Sequence, residues 1–367
     1  MKIIVDVGPL QETNYTGIST VTAKLSSRFV ADPDVDVFFA WERYIIPHEV
    51  IKSVIEINSG KFFYEVLRTG AAQVAYLDEV VDNNSVMFFT NTGKNSRVCD
   101  KQVQFVHDLT TILFPETHNI DTINFHRNDF INSKKNIDYF ICNSQCTADD
   151  MKIYMGCDND QVGVAYLGYE KPKFECKTVI TDNYVCVLGT LEPRKNNDII
   201  FEYITNNIEI LNKIKFVFVG RFGWGPDIEN MFMKYPKMCD AVKSKSVIFT
   251  GFVSDEKKFT IINNANCTVY ASLYEGFGLP VLESIACGTP VVASYSSSIP
   301  EVGGDIAFYF DPFDHRDFAR ALNHCLNTYK YKSKIPTNIT DDHVDLFTWE
   351  KTYTKIKQLI KARFNNV

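Results

Sequence analysis

Short apolar runs recur along the chain, each followed by a polar or glycine-bearing loop and then a stretch of helical periodicity. In the first half they are IIVDV (3–7), VDVFFAW (35–41), VMFFT (86–90), VQFVHD (103–108) and YFICNS (139–144). In the second half they are YVCVLG (184–189), KFVFVG (215–220), SVIFTG (246–251), CTVYAS (267–272) and PVVAS (290–294). Runs of this kind are strands buried on both faces, and their alternation with helices predicts parallel sheets covered by helices. Two such sets predict two doubly wound α/β domains. Between them LGYEKPKFECKTVITDN (167–183) is polar, proline-bearing and without a clear period, which marks a linker.

The expected organisation is a first Rossmann-like domain over 1–168, a linker over 169–182, a second Rossmann-like domain over 183–345 and a closing helix within 346–367. That helix places Trp349, Tyr353, Ile356 and Ile360 on one stripe, with Lys351, Lys355, Lys361 and Arg363 mostly away from it. Packing of the stripe on a domain is one reading, and a membrane-surface helix is the other.

Composition narrows the class. At 367 residues, with 45% hydrophobic and 23% charged residues, the chain is that of a globular protein large enough for two cores. A net charge of -7 argues against a surface built for nucleic acid, and leaves an acidic ligand only a local basic pocket. Most of the ten cysteines sit in apolar runs, no CxxC occurs, and Cys142 and Cys146 lack a second ligand pair for zinc. MKIIVDVGPL reads as a first strand rather than a signal peptide, and no apolar run is long enough to span a membrane. A reducing cytoplasm is the expected location, with peripheral membrane contact as the open alternative. The N-x-S/T matches at Asn14, Asn83, Asn266 and Asn338 are then without consequence.

Ligands of doubly wound sheets bind outside the carboxyl ends of the strands. Those ends carry Gly8 and the loop to Gly17, then His107 and Asp108, then Asn143 and Ser144. Ser144 reads as a helix cap in NSQCTADD. In the second half they carry GTLEPRKN (189–196), GRFGWG (220–225), GFVS (251–254) and SLYEGFG (272–278), so that Arg194, Lys195 and Arg221 gather on one edge. Arg221 can equally be a surface residue.

In YEGFGLPVLESIACGTPVVAS (274–294), Gly276 and Gly278 permit tight turns, Pro280 suits a helix start and Gly288 a helix end. The helix from about Leu279 to Cys287 therefore aims free N–H groups at the crevice, where an anion gains roughly 0.3–1 kcal/mol. Glu283 lies one turn inside it, among apolar residues that make an unpaired carboxylate costly. Glu283 accepting from a ribose diol and Glu275 from a second polyol together describe a nucleotide sugar. The alternative keeps Glu283 as a cap on a loop amide and Glu275 solvated.

The spacing of Glu275 and Glu283, with EGFGLPVLE, GTPVVAS, GTLEPRKN and IPEVGGDIAFYFDP (299–312), resembles the retaining glycosyltransferase family 4. The early glycine loop at Gly17, FVHDLTTILFPE and the closing FTWEKTYTKI extend the resemblance over nearly the whole chain in order. It implies the GT-B fold, two Rossmann-like domains facing across a cleft, with the C-terminal helix crossing back to the first. It implies that Arg194 and Lys195 bind the donor diphosphate, that Glu275 holds the sugar hydroxyls and that His107 lies by the anomeric centre. Gly276, Phe277 and Gly278 would face the donor with backbone amides, and Leu279 would stand with them among the donor-binding residues. Glu283 would bind the ribose, and Phe252 and Val253 would border the base. Arg221 is kept among the donor-binding residues, and Gly17 would lie near the phosphates, although NYTGIST offers one glycine where the family usually has a pair.

The implied reaction transfers a hexosyl unit from a nucleoside-diphosphate sugar to a saccharide acceptor with retention, without metal or cofactor. HDLTTILFPETHN is similar to stretches of mannosyl- and rhamnosyltransferases, which favours a GDP-sugar such as GDP-mannose or GDP-rhamnose over a UDP-sugar. Closure over the donor would exclude water. A GT-B epimerase or phosphorylase is the nearest alternative. A nicotinamide oxidoreductase ranks low because no G-x-G-x-x-G follows the first strand.

Overall fold

The computed structural model describes every residue except 14, 16, 62, 64–74, 171–181, 224–227 and 365–367. Most of the linker expected over 169–182, the sequon at Asn14 and the end of GRFGWG therefore lie outside the described residues. The chain divides into two compact units. One comprises Met1–Ile112, Ile120–Gly168 and Thr348–Val367; the other comprises Leu113–Asn119 and Tyr169–Phe347.

Among the described residues the first unit holds eight strands: β1 (Lys2–Asp6), β2 (Asp36–Trp41), β3 (Tyr44–Ile46), β4 (Ala75–Tyr76), β5 (Ser85–Phe89), β6 (Lys101–Val106), β7 (Tyr139–Cys142) and β8 (Val162–Val164). Their order is β4-β3-β2-β1-β5-β6-β7-β8. The five apolar runs expected there are all strands. β3, β4 and β8 were not expected, and the first two depart from an all-parallel sheet: β3 pairs antiparallel with β2, and β4 antiparallel with β3. A tight turn after Trp41, with Glu42 at φ 54°, folds β3 back along its neighbour.

The closing helix, Trp349–Phe364, belongs to this unit and spends its apolar stripe inside it. Trp349, Tyr353, Ile356 and Ile360 are buried. The Tyr353 ring meets Phe29 edge-on at 4.9 Å, and its hydroxyl donates to Asp32 at 2.7 Å. The reading of this stripe as a membrane-surface face is thereby overturned, because its apolar area is already covered by protein. Among the described residues no helix is long and apolar enough to cross a membrane.

The second unit holds β9 (Tyr184–Leu188), β10 (Lys215–Val219), β11 (Val247–Phe249), β12 (Cys267–Tyr270), β13 (Val291–Ser294) and β14 (Phe308–Phe310). All pairings are parallel, in the order β11-β10-β9-β12-β13-β14. This is the Rossmann order, whose direction reverses between its first and fourth strands, here β9 and β12. Alternate residues of one strand serve two cores: Val185 and Val187 face one, and Tyr184, Cys186 and Leu188 the other. Burial on both faces explains why these runs are apolar without alternation.

A charged cluster at the switch point of the second sheet

Loops leaving β9 and β12 meet at the reversal, and each brings charge. After β9, Gly189 takes φ 130°, a value that side-chain-bearing residues rarely adopt, and the chain enters a short 3-10 turn, Pro193–Lys195. Gly220, at the end of β10, approaches so closely that an added Cβ would lie 2.1 Å from the Gly189 carbonyl oxygen. The turn ends at Asn196, in the left-handed region at φ 51°. Arg194 and Lys195 are thus carried on a stiff corner.

Both cations converge on Glu275. Lys195 Nζ is 2.6 Å from Glu275 Oε1, and Arg194 Nη1 is 2.7 Å from Oε2. Arg194 also pairs with Glu192 at 2.9 Å and donates to the Tyr274 carbonyl at 3.0 Å. Lys195 donates to the Tyr270 hydroxyl at 3.1 Å. Glu275 is only 8% exposed, so the reading of it as a solvated carboxylate is wrong. Burial alone would raise its carboxyl, but the charges of Lys195 and Arg194 outweigh burial and bring it down to about 2. Burial likewise lowers the Lys195 ammonium, against the pull of Glu275.

Three consecutive serines after β13 hold the Glu275 loop, and sequence reasoning passed over them. Ser297 Oγ accepts from the Glu275 amide at 2.8 Å, and Ser298 Oγ donates to the Glu275 and Phe277 carbonyls, both at 2.8 Å. Ser296 donates to the Leu273 carbonyl. The only signal in the sequence was the repeat itself, in SYSSSIP, since hydroxyls in such runs bond nearby loop backbone.

The helix Leu279–Ala286 starts where expected, with Gly278 at φ 116° as its N-cap. Among the described residues Glu283 within it caps no loop amide. Its Oε1 is 2.7 Å from Lys258 Nζ, contributed by the helix Asp255–Asn264. Burial pushes the Glu283 carboxyl up although Lys258 opposes it. Burial would lower the Lys258 ammonium, yet the Glu283 charge leaves it raised. Lys258 was not among the expected residues: it lies in another helix, and no sequence spacing announces the pair.

Phe252 stands 78% exposed, with the Arg221 guanidinium 5.9 Å from its ring centre, while Val253 packs partly into the core. The Phe277 side chain is buried and meets Phe347 at 5.8 Å, so only its backbone faces the loop. The structure therefore brings Arg194, Lys195 and Glu275 into contact, joins Arg221 to Phe252, and gives Glu283 a separate cation.

In the first unit the switch point lies between β1 and β5. His107, just past β6, has Nε2 2.8 Å from the Thr90 carbonyl oxygen. A carbonyl only accepts, so Nε2 carries the proton, and burial lowers the pKa of the ring, which leaves Nδ1 as an acceptor. Thr90 Oγ1 donates to the Asp6 carbonyl at 2.9 Å and accepts from Thr22 Oγ1 at 2.9 Å. Asp6, at the end of β1, was also missed; burial raises its carboxyl to about 6, with Lys94 and the Gly8 amide opposing. Gly17 opens the helix Gly17–Ala31, and an added Cβ there would meet nothing within 4 Å. Ser144 caps the helix Gln145–Met155, accepting from the Thr147 amide at 3.0 Å.

Residues 170–341 match the family described as glycosyl transferases group 1. They are a glycosyltransferase domain, and the chain is a glycosyltransferase. The O-antigen chain mannosyltransferase B of Escherichia coli is 26% identical over 268 residues, covering 70% of this chain and 69% of that protein. The serotype-specific mannosyltransferase WbdA of Escherichia coli is 26% identical over 267 residues, covering 69% of this chain but only 32% of WbdA. The crystal structure of Anabaena HepE in complex with UDP and glucose aligns over 99% of this chain and 100% of HepE. At a TM-score of 0.65 and 16% identity, that likeness shows the fold, which is GT-B. The charged cluster of this glycosyltransferase thus lies inside the matched region, at the position where a Rossmann sheet holds its ligand.

Proposed function

We propose that the protein transfers mannose from GDP-mannose to a saccharide acceptor in polysaccharide assembly, with retention and without a metal. The observation that carries this reading is the convergence of Arg194 and Lys195 on Glu275 at the β9–β12 reversal. As the bond from the anomeric carbon to the diphosphate breaks, negative charge collects on the terminal phosphate. Two fixed cations, and the N-terminus of the helix Leu279–Ala286 that begins shortly after Glu275, would meet it.

Glu275 positions the two cations and offsets one of their charges, with Glu192 paired to Arg194 on its other side. When a diphosphate shares those donors, the oxygens of Glu275 become acceptors for sugar hydroxyls. With Oε1 held by Lys258, Glu283 would turn its second carboxylate oxygen to the ribose end, and Lys258, which also pairs with Asp255 at 3.3 Å, fixes its position. His107 offers Nδ1 to a hydroxyl as a neutral ring. The acceptor oxygen attacks the face from which the diphosphate leaves, and its proton passes to the departing phosphate oxygen, so charge and atoms balance without a protein nucleophile. The likeness to two mannosyltransferases supports mannose as the sugar.

A UDP-sugar is the second reading, favoured by the UDP in the HepE structure. The discriminating experiment incubates GDP-mannose and UDP-sugars with manno-oligosaccharide acceptors in EDTA and reads the product anomer by NMR. An α-linked product from GDP-mannose bears the proposal out. A β-linked product, or turnover only with a UDP-sugar or only with added metal, contradicts the corresponding part. Free sugar and nucleotide without acceptor would signal an epimerase, and dependence on inorganic phosphate a phosphorylase.

A further inference from the structure

The carboxyl edge of the second sheet continues beyond Glu275 to its last two strands, β13 and β14. The residues that follow these strands enclose an open groove of about 450 Å³. That volume lies within the roughly 300–1,000 Å³ of small-molecule sites. Tyr295, Tyr309 and Phe313 form its aromatic walls, and Asp311, Asp317 and Ser296 supply the polar groups. Tyr295 is 67% exposed and Phe313 is 73% exposed.

The groove is built rather than incidental. Tyr309 is fixed by its hydroxyl, which donates to the Gly304 carbonyl at 2.8 Å, and its ring meets Tyr295 edge-on at 5.5 Å. Asp311 Oδ1 accepts from the Phe313 amide at 2.9 Å, and the Asp311 amide donates to Asp317 Oδ2 at 2.8 Å. The Phe313 loop is also tied to the charged cluster: Asn196, which ends the turn carrying Arg194 and Lys195, donates through Nδ2 to the Pro312 carbonyl at 2.8 Å.

These walls select a chemistry. Exposed aromatic faces pack on the C–H faces of sugar rings, and carboxylates accept from ring hydroxyls. Among the described residues no lysine, arginine or histidine lines the groove itself. Arg320, outside the lining, pairs with Asp317 at 2.7 Å, which leaves Asp311 as the carboxylate that disfavours a phosphate or a nucleic-acid backbone. An uncharged polyhydroxylated chain satisfies both surfaces.

We propose that this groove is a saccharide subsite, which holds sugar units of a growing acceptor chain remote from the unit that reacts. The inference rests on the reading of the cluster as a glycosyl-transfer site and adds to it a preference for long acceptors. Position on the sheet supports it. The nucleoside-side residues Arg221 and Phe252 lie beyond β10 and β11 at one end of the edge, Glu275 follows β12 in the middle, and the groove lies at the other end.

The test titrates linear manno-oligosaccharides of increasing length into the wild-type protein and into Tyr295→Ala and Phe313→Ala, neither of which removes a buried side chain. In parallel, GDP and UDP binding and acceptor-free donor hydrolysis are measured. Wild-type affinity should rise with acceptor length, and each variant should lose up to about tenfold with long chains and nothing with the shortest. Nucleotide binding and donor hydrolysis should not change. Equal affinity for short and long chains in the wild type, or an undiminished length effect in both variants, overturns the subsite while leaving the transfer reading intact. Absence of nucleotide binding in the wild type instead removes the transfer reading, and this inference with it.

Discussion

At the switch points of the two sheets two carboxylates, Glu275 and Asp6, are treated in opposite ways. In the second unit Glu275 lies between Arg194 and Lys195 and is held down to about 2. In the first, Asp6 is partly buried, Lys94 only partly offsets that burial, and the carboxyl rises to about 6. Around Glu275 the sheet edge is ionic; around Asp6 it is a chain of hydroxyls and one neutral imidazole, through Thr22, Thr90 and His107. The same kind of switch point therefore yields an edge arranged for an anion and an edge arranged for neutral hydroxyls. Topology fixes where a ligand can sit, and the loops decide its charge.

The largest effect expected from that contrast is on turnover. Arg194→Ala or Lys195→Ala should lower kcat roughly 10²–10³-fold, the loss seen when one preorganised donor to a developing anion is removed. Steady-state rates with the donor check this, and a loss under about tenfold in both variants would make the cluster structural.

The two carboxylates then predict opposite stability changes with pH. Glu275 is lowered from 4.5 to about 2, so its contribution is fully present above the unfolded value and is lost as pH falls through the folded one. Glu275→Gln should be destabilised by about 3 kcal/mol near neutrality and converge on the wild type in acid, as urea titrations across that window would show. Asp6 is raised from 3.8 to about 6, so the cost of ionising it in the fold is absent below the unfolded value and complete above the folded one. Asp6→Asn should therefore gain roughly 1–3 kcal/mol above that window and nothing below it. Loss of stability in Asp6→Asn at neutral pH would show that the carboxylate is satisfied after all.

The smallest effect sharpens the contrast at Gly17. An added methyl there meets no protein atom within 4 Å, so Gly17→Ala should leave stability within about 0.5 kcal/mol of wild type. Donor turnover that nevertheless falls would place a ligand atom against that position. Unchanged turnover would remove Gly17 from the donor-binding residues.

Much of this fold was legible because strands buried on both faces must be apolar throughout, so YVCVLG and KFVFVG announce themselves. The three-residue strands Tyr44–Ile46 and Val162–Val164 stand outside the apolar runs and went unseen for that reason. The Glu275 loop was legible from its glycines, which mark backbone that must turn. Its partners were not. Lys258 reaches Glu283 only after two helices pack, and Ser296 to Ser298 act on a loop that precedes them by about twenty residues. Asp6 carries no spacing at all, and its altered carboxyl is produced by burial, which only the folded chain supplies.

The central claim is that the Arg194–Lys195–Glu275 cluster receives a nucleoside diphosphate. Calorimetric titration of GDP, UDP and ADP into the wild type and Lys195→Ala, in EDTA and again with Mg2+, tests it most directly. Metal-independent binding of GDP in preference to the others is the expected result, weakened at least about tenfold in Lys195→Ala. Equal affinity in both proteins, or no binding of any diphosphate under either condition, would contradict it and leave Glu275 and its two cations as a structural ion pair.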